Sequence, residues 1–178
     1  MKTDENSNVT VEENTHKIEN EISQKELVGI KGWLILVGFG VLLSPVRLFF
    51  ELSQVYLPLF QDGTFQQMIL PSSEAYNFPF SMVLLGETIF NLFMIGASLY
   101  LIYLFFTKKA SFPKLYILIL AMTIIFIPLD ALLVSWIFPE IEAFDSDTVR
   151  EITRAVIGGA IWIPYMLVSE RVKATFVE

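Results

Sequence analysis

The chain contains no cysteine, which excludes disulfides, thiolate nucleophiles and cysteine-ligated zinc. Histidine occurs once, at His16 in a polar lead, so no serine–histidine nucleophile can be assembled around a placed imidazole. The zinc-protease HExxH pattern, the P-loop, the glycine-rich dinucleotide fingerprint and the GxSxG elbow are all missing. Asp130 is the sole aspartate inside an apolar segment, which removes a two-aspartate intramembrane site. There is no basic patch to bind nucleic acid, no internal repeat and no low-complexity run. The residues from Leu57 to Phe78 hold no lysine or arginine. No cofactor and no metal site are expected, and an enzyme is the least favoured class.

What the chain has in abundance is apolar surface. Hydrophobic residues make up 54% of its 178 positions and mean hydropathy is +0.58, well above a soluble globular composition. The formal charge of −7 is local. Asp4, Glu5, Glu12, Glu13, Glu19, Glu21 and Glu26 precede the first apolar segment, and Glu140, Glu142, Asp145 and Asp147 share one later loop. In the lead, 1–28, the apolar residues Val9, Val11, Ile18 and Ile22 are too sparse for a core, which predicts a disordered or weakly helical acidic tail. A cleavable signal peptide would need a basic start and a short apolar core near the N-terminus; here the apolar run begins at Trp33 and is long enough to span.

Four apolar segments each supply the roughly 20 residues that a hydrocarbon layer about 30 Å thick requires. The expected fold is therefore all-α: a membrane bundle of four transmembrane helices occupying 29–178, with spans at 31–56, 79–106, 114–138 and 148–169. The first is expected to kink at Ser44-Pro45, where a backbone donor is missing. The fourth is expected to continue as helix to Lys173. The long loop between the first two spans contains Pro58, Asp62-Gly63 and Pro71-Ser72-Ser73, with a middle, Phe65 to Leu70, suited to the interface.

Cation placement sets the orientation. Lys25 and Lys31 precede the first span, Lys108, Lys109 and Lys114 flank the second loop, and Arg171 and Lys173 follow the last span. In a four-span protein these regions share a side, so the positive-inside rule predicts both termini in the cytoplasm. Trp33, Tyr103 and Tyr116 fall at the inner boundary and Tyr56, Tyr76 and Trp136 at the outer one, as aromatic belts do. Trp162 is mid-span and does not fit.

Each span also carries ionisable or polar residues in its outer part. At 1.5 Å of rise per residue, Arg47 lies about 22 Å from the inner boundary and Asp130 about 24 Å, while Glu87 and Arg154 lie about 6–10 Å below their outer ends. Glu51 stands a turn above Arg47, and Asn91 a turn below Glu87. The spacing places Gly40, Ser44, Arg47 and Glu51 on one face of the first span, and Arg150, Arg154, Gly158, Tyr165 and Ser169 on one face of the fourth. Arg47, Glu51, Glu87, Asn91, Asp130 and Arg154 therefore form the candidate intramembrane polar cluster. Because a lone charge at bilayer depth costs about 2.5–3.5 kcal/mol, Arg47 is expected to reach Glu87 or Asp130 on another helix, its i,i+4 order with Glu51 being the weaker one. A structural ion-pair network is the first reading, a solvated pocket or proton relay the second, and snorkelling to the outer interface the third. Gly158 and Gly159 suit close helix packing, with Ala155 to Gly159 as a small-xxx-small step; Trp162-Ile-Pro-Tyr165 reads as a kinked packing turn.

Two signatures resemble a family of bacterial inner-membrane proteins catalogued only as a domain of unknown function. One is Gly29-Ile-Lys-Gly-Trp-Leu-Ile-Leu with Leu43-Ser-Pro-Val-Arg47; the other is Trp162-Ile-Pro-Tyr165 with Ser169-Glu-Arg171-Val-Lys173-Ala-Thr175-Phe176. The resemblance covers about Gly29 to Val177 and implies a four-span membrane protein of the bacterial inner membrane, with no activity attached. Three function classes follow: a small structural or accessory protein, a small-solute or proton-coupled transporter acting as an oligomer, and a membrane enzyme. The expected partners are the lipid bilayer and a second copy or a protein partner, with no nucleic acid.

Overall fold

A computed structural model describes residues 28–177; the tail expected over 1–28 lies outside them except for Val28. Among the described residues every regular element is a helix: α1 Trp33–Gln61, α2 Thr64–Ile69, α3 Phe78–Phe106, α4 Phe112–Ile137, α5 Ser146–Val168 and α6 Glu170–Thr175. Four of these, α1, α3, α4 and α5, are long and apolar enough to cross a membrane. They pack in chain order, α1 on α3, α3 on α4 and α4 on α5.

Local chemistry explains the helix starts. Gly29 and Gly32 sit at φ of 113° and 58°, a region that a β-carbon disfavours, so the Gly29-Ile-Lys-Gly32 run turns the chain into α1 where other residues would be strained. The Asn77 side chain accepts from the backbone N–H of Phe80 at 3.1 Å, with Pro79 in the first turn of α3, where its missing donor costs nothing. Asp145 caps α5 by accepting from the Thr148 N–H at 2.8 Å. Its carboxyl is held below the ordinary value by hydrogen bonds, first that of the Thr148 backbone.

Three expectations require correction. First, α1 runs to Gln61 rather than ending at Tyr56, with both Pro45 and Pro58 inside it. A proline forfeits one ladder donor, and Pro58 still accepts from Asp62 N–H at 3.1 Å to close the final turn. Second, the long loop holds helix α2, fastened to the head of α3 by Ser81, whose hydroxyl faces the Met68 carbonyl at 3.0 Å and that of Asn77 at 2.9 Å. Third, the last span does not continue straight to Lys173. Ser169 is extended, at φ −60° and ψ 118°, and its hydroxyl caps α6 by accepting from Val172 N–H. The chain turns there because Val172 and Phe176 gain burial by folding under the bundle.

The tightly packed core lies at the end that carries both described termini and the α3–α4 turn. Leu34, Val37 and Val41 of α1 meet Leu101 and Phe105 of α3, with Phe112, Met166 and Phe176 completing the cluster. Ring contacts join α3 to α4 along their length: Phe80–Phe138 at 5.4 Å, Phe90–Phe126 stacked at 3.5 Å and Phe105–Phe112 at 5.1 Å. In a bilayer, helices gain little from hydrophobic burial against one another, and close van der Waals fit carries association. Glycine supplies that fit twice. A β-carbon on Gly38 would stand 2.7 Å from the Phe105 ring, and one on Gly159 would stand 2.6 Å from Ile124 Cδ1.

The head of α1 is clasped to α6. The Gly29 N–H donates to Thr175 Oγ1 at 3.0 Å, and the Thr175 hydroxyl faces the Gly29 carbonyl at 3.4 Å. Trp33 and Trp162 meet edge-on at 6.3 Å, and Trp162 meets Tyr165 at 5.9 Å. Packing inside the closed end thus accounts for Trp162, which no aromatic belt explains.

Candidate functional site

The polar residues concentrate in the half of the bundle away from this core, and register brings two of them together. Glu87 precedes Phe105 on α3 by as many residues as Asp130 follows Phe112 on α4, and Phe105 and Phe112 touch. Both carboxylates therefore stand about 27 Å along their helices from the same aromatic contact. Both are half-buried, on helices that pack against each other.

Tyr56 completes this group from α1. Its hydroxyl lies 2.8 Å from Thr88 Oγ1, while the Thr88 hydroxyl donates to the Leu84 carbonyl at 2.7 Å. With that proton committed, Tyr56 is the donor of the pair. Thr88 adjoins Glu87 in sequence, which sets the phenol beside the carboxylates. Three helices thus contribute to one polar site made of two carboxylates, a phenol and a threonine hydroxyl. Chemically it can accept protons or attract a cation. Sequence reasoning misses Tyr56 because it reads as a belt residue, and misses Thr88 because nothing in the pattern singles it out beyond its place next to Glu87.

Arg47 is not a member of the group. Its Nε donates to Glu51 Oε1 at 2.6 Å, an i,i+4 pair on its own helix, and the side chains are 66% and 48% exposed. No ion pair from Arg47 to Glu87 or Asp130 occurs among the described residues. The reason is rotational: α1 turns its Val37 and Val41 face to the core, and Gly40, Ser44, Arg47 and Glu51 lie about a quarter turn away. Asn91 is half-buried one turn below Glu87, and Arg154 is exposed. Arg150 pairs with Asp147 at 3.0 Å within α5. Gly159 packs on α4, whereas a β-carbon on Gly158 meets nothing within 4 Å, so close approach rests on Gly159 alone.

Of the signature segments, Gly29 to Leu36 and Trp162 to Phe176 lie at the closed end, where the clasp and the aromatic cluster are built, whereas Leu43 to Arg47 lies farther along α1. A family described as protein of unknown function, DUF2569, matches residues 27–177. The chain belongs to this family. No curated protein and no solved structure matches it significantly. The family's span begins at the positive-φ glycines and ends just past Phe176, so it contains both halves of the clasp and the Tyr56–Glu87–Thr88–Asp130 group.

Proposed function

We propose that the chain is a bacterial inner-membrane protein, both termini cytoplasmic, that serves as a structural or accessory component and catalyses no reaction. The orientation is supported by Lys31, Lys108, Lys109, Lys114, Arg171 and Lys173, all of which belong to the end that carries the described termini and the α3–α4 turn. The observation that carries the accessory reading over transport is the filling of that end: Leu34, Phe105, Phe112 and Val172 are at most 1% exposed, leaving packed rings where a path to the cytoplasm would have to open. The acidic lead is the natural partner-binding segment. Affinity purification from native membranes in mild detergent tests this; a stoichiometric partner protein, lost when 1–27 is deleted, is the expected result. Recovery of the chain alone, stabilised by a small solute, would contradict it.

A second reading rests on the Tyr56, Glu87, Thr88 and Asp130 group, whose paired carboxylates suit a proton-coupled or small-solute carrier acting as an oligomer. It expects uptake or proton flux that disappears in Asp130→Asn and Glu87→Gln while the protein remains folded. Unchanged flux in both variants would remove it.

A further inference from the structure

The Arg47–Glu51 pair lies on the outside of the bundle. Arg47 stands about 21 Å along α1 from Trp33, within a hydrocarbon layer about 30 Å thick, and charges at such depth ordinarily face a protein interior or a partner. The face it occupies runs Gly40, Ser44, Arg47, Glu51 in alternating steps of four and three residues, the repeat by which two parallel helices share a left-handed seam. Gly40 is exposed and has open space where a β-carbon would stand, and small residues at such steps let helix backbones approach. Trp33, at the head of the same face, touches Trp162, but beyond it no hydrogen bond or ion pair joins α1 to α5 among the described residues, and the two helices do not pack along their length.

We propose that two copies of the chain pair through this face of α1. The face is self-complementary. A two-fold axis along the membrane normal sets equal depths opposite each other, so Arg47 of one copy reaches Glu51 of the other, one turn away, and the reverse. Two exposed pairs become a four-charge ring with alternating signs, seated on a Gly40–Ser44 platform. The inference rests on the membrane-spanning reading of α1.

The chain has no cysteine, so a single introduced thiol reports unambiguously. In membranes carrying the full-length protein, oxidation of Gly40→Cys should give at least tenfold more disulfide-linked dimer than Leu92→Cys, whose position is exposed on α3. Charge complementation supplies the second arm. Differently tagged R47E and E51R chains, each self-repelling, should co-purify severalfold better together than either does with its own kind, and the R47E/E51R double reversal in one chain should pair like the natural sequence. Equal cross-linking at the two thiols, with no gain on mixing the variants, would overturn the proposal and assign Arg47 and Glu51 to lipid headgroups. Each arm is run on alkali-washed membranes. A chain lost in the wash overturns the spanning reading and this inference with it, whereas a retained chain without pairing overturns only the inference.

Discussion

Replacing Gly38 by alanine should separate packing from helix propensity at the closed end. Alanine is favoured over glycine inside a helix by about 1 kcal/mol, so on propensity alone the change stabilises α1. The added methyl, however, stands 2.7 Å from both Cε1 and Cζ of Phe105. That ring cannot swing aside freely, because Phe106, Phe112 and Phe176 surround it at 5.3, 5.1 and 5.8 Å. Overpacking of this kind costs about 1–3 kcal/mol. Gly96→Ala on α3 is the matched control, with the same propensity gain and nothing within 4 Å of the new methyl. The difference between the two variants isolates the packing cost. At about 2–4 °C per kcal/mol for a chain of this size, Gly38→Ala should melt about 2–12 °C below Gly96→Ala in mild detergent. Adding Phe105→Leu should recover part of the loss, since residues in contact couple and distant ones do not. Equal midpoints for the two alanine variants, or no coupling to Phe105→Leu, would refute the close approach of α1 and α3.

Thr175→Val keeps the shape of a buried side chain but leaves the Gly29 N–H without its acceptor; a loss of about 1–3 kcal/mol is expected, with faster hydrogen exchange at Gly29 and Ile30. Unchanged exchange there would mean the clasp is not formed. For Arg47, a double-mutant cycle of Arg47→Leu with Glu51→Gln should show coupling above about 0.5 kcal/mol, as residues in one ion pair do, while cycles with Glu87→Gln and Asp130→Asn should be additive within about 0.5 kcal/mol; strong coupling to either bundle carboxylate would contradict the pairing of Arg47 with Glu51 on its own helix. Asp145 has a lowered pKa in the folded protein, so its cap on α5 is fully present above the ordinary carboxyl value of about 3.9 and is lost as pH falls through the lower folded value. Asp145→Asn should retain protection of the first turn of α5 at acid pH, and equal acid fraying of the two proteins would remove the charge from the account.

The spans were readable because a bilayer demands a long apolar run, which composition alone reveals. Their ends were less so. Pro58 falls in what reads as the loop after the first span, yet a single missing donor does not end a helix whose last turn closes on Asp62. The break at Ser169 was not legible either, because the serine that caps α6 sits inside a helical spacing; what breaks the helix is the burial of Val172 and Phe176 under the bundle, a tertiary effect. In the polar layer, depth came from residue counting and rotation did not. Glu87 and Asp130 stand at matching depth because their helices are aligned at Phe105 and Phe112. Arg47 shares their outer half yet looks outward, and only the placement of Val37 and Val41 against α3 decides that. Gly29 of the first signature and the buried Thr175 of the second are the two halves of one clasp, a relation that no separation in sequence could disclose.

Reporter fusions test the central claim most directly, because every reading of the site depends on which end of the bundle faces the cytoplasm. Alkaline phosphatase and a fluorescent protein, each joined in turn at Gly63, Ser111, Asp145 and Glu178, report the side of every loop. Four spans with a cytoplasmic closed end predict phosphatase activity at Gly63 and Asp145 and fluorescence at Ser111 and Glu178. Phosphatase activity at Ser111 would contradict it, because the lysine-flanked turn between α3 and α4 would then lie outside together with the packed end.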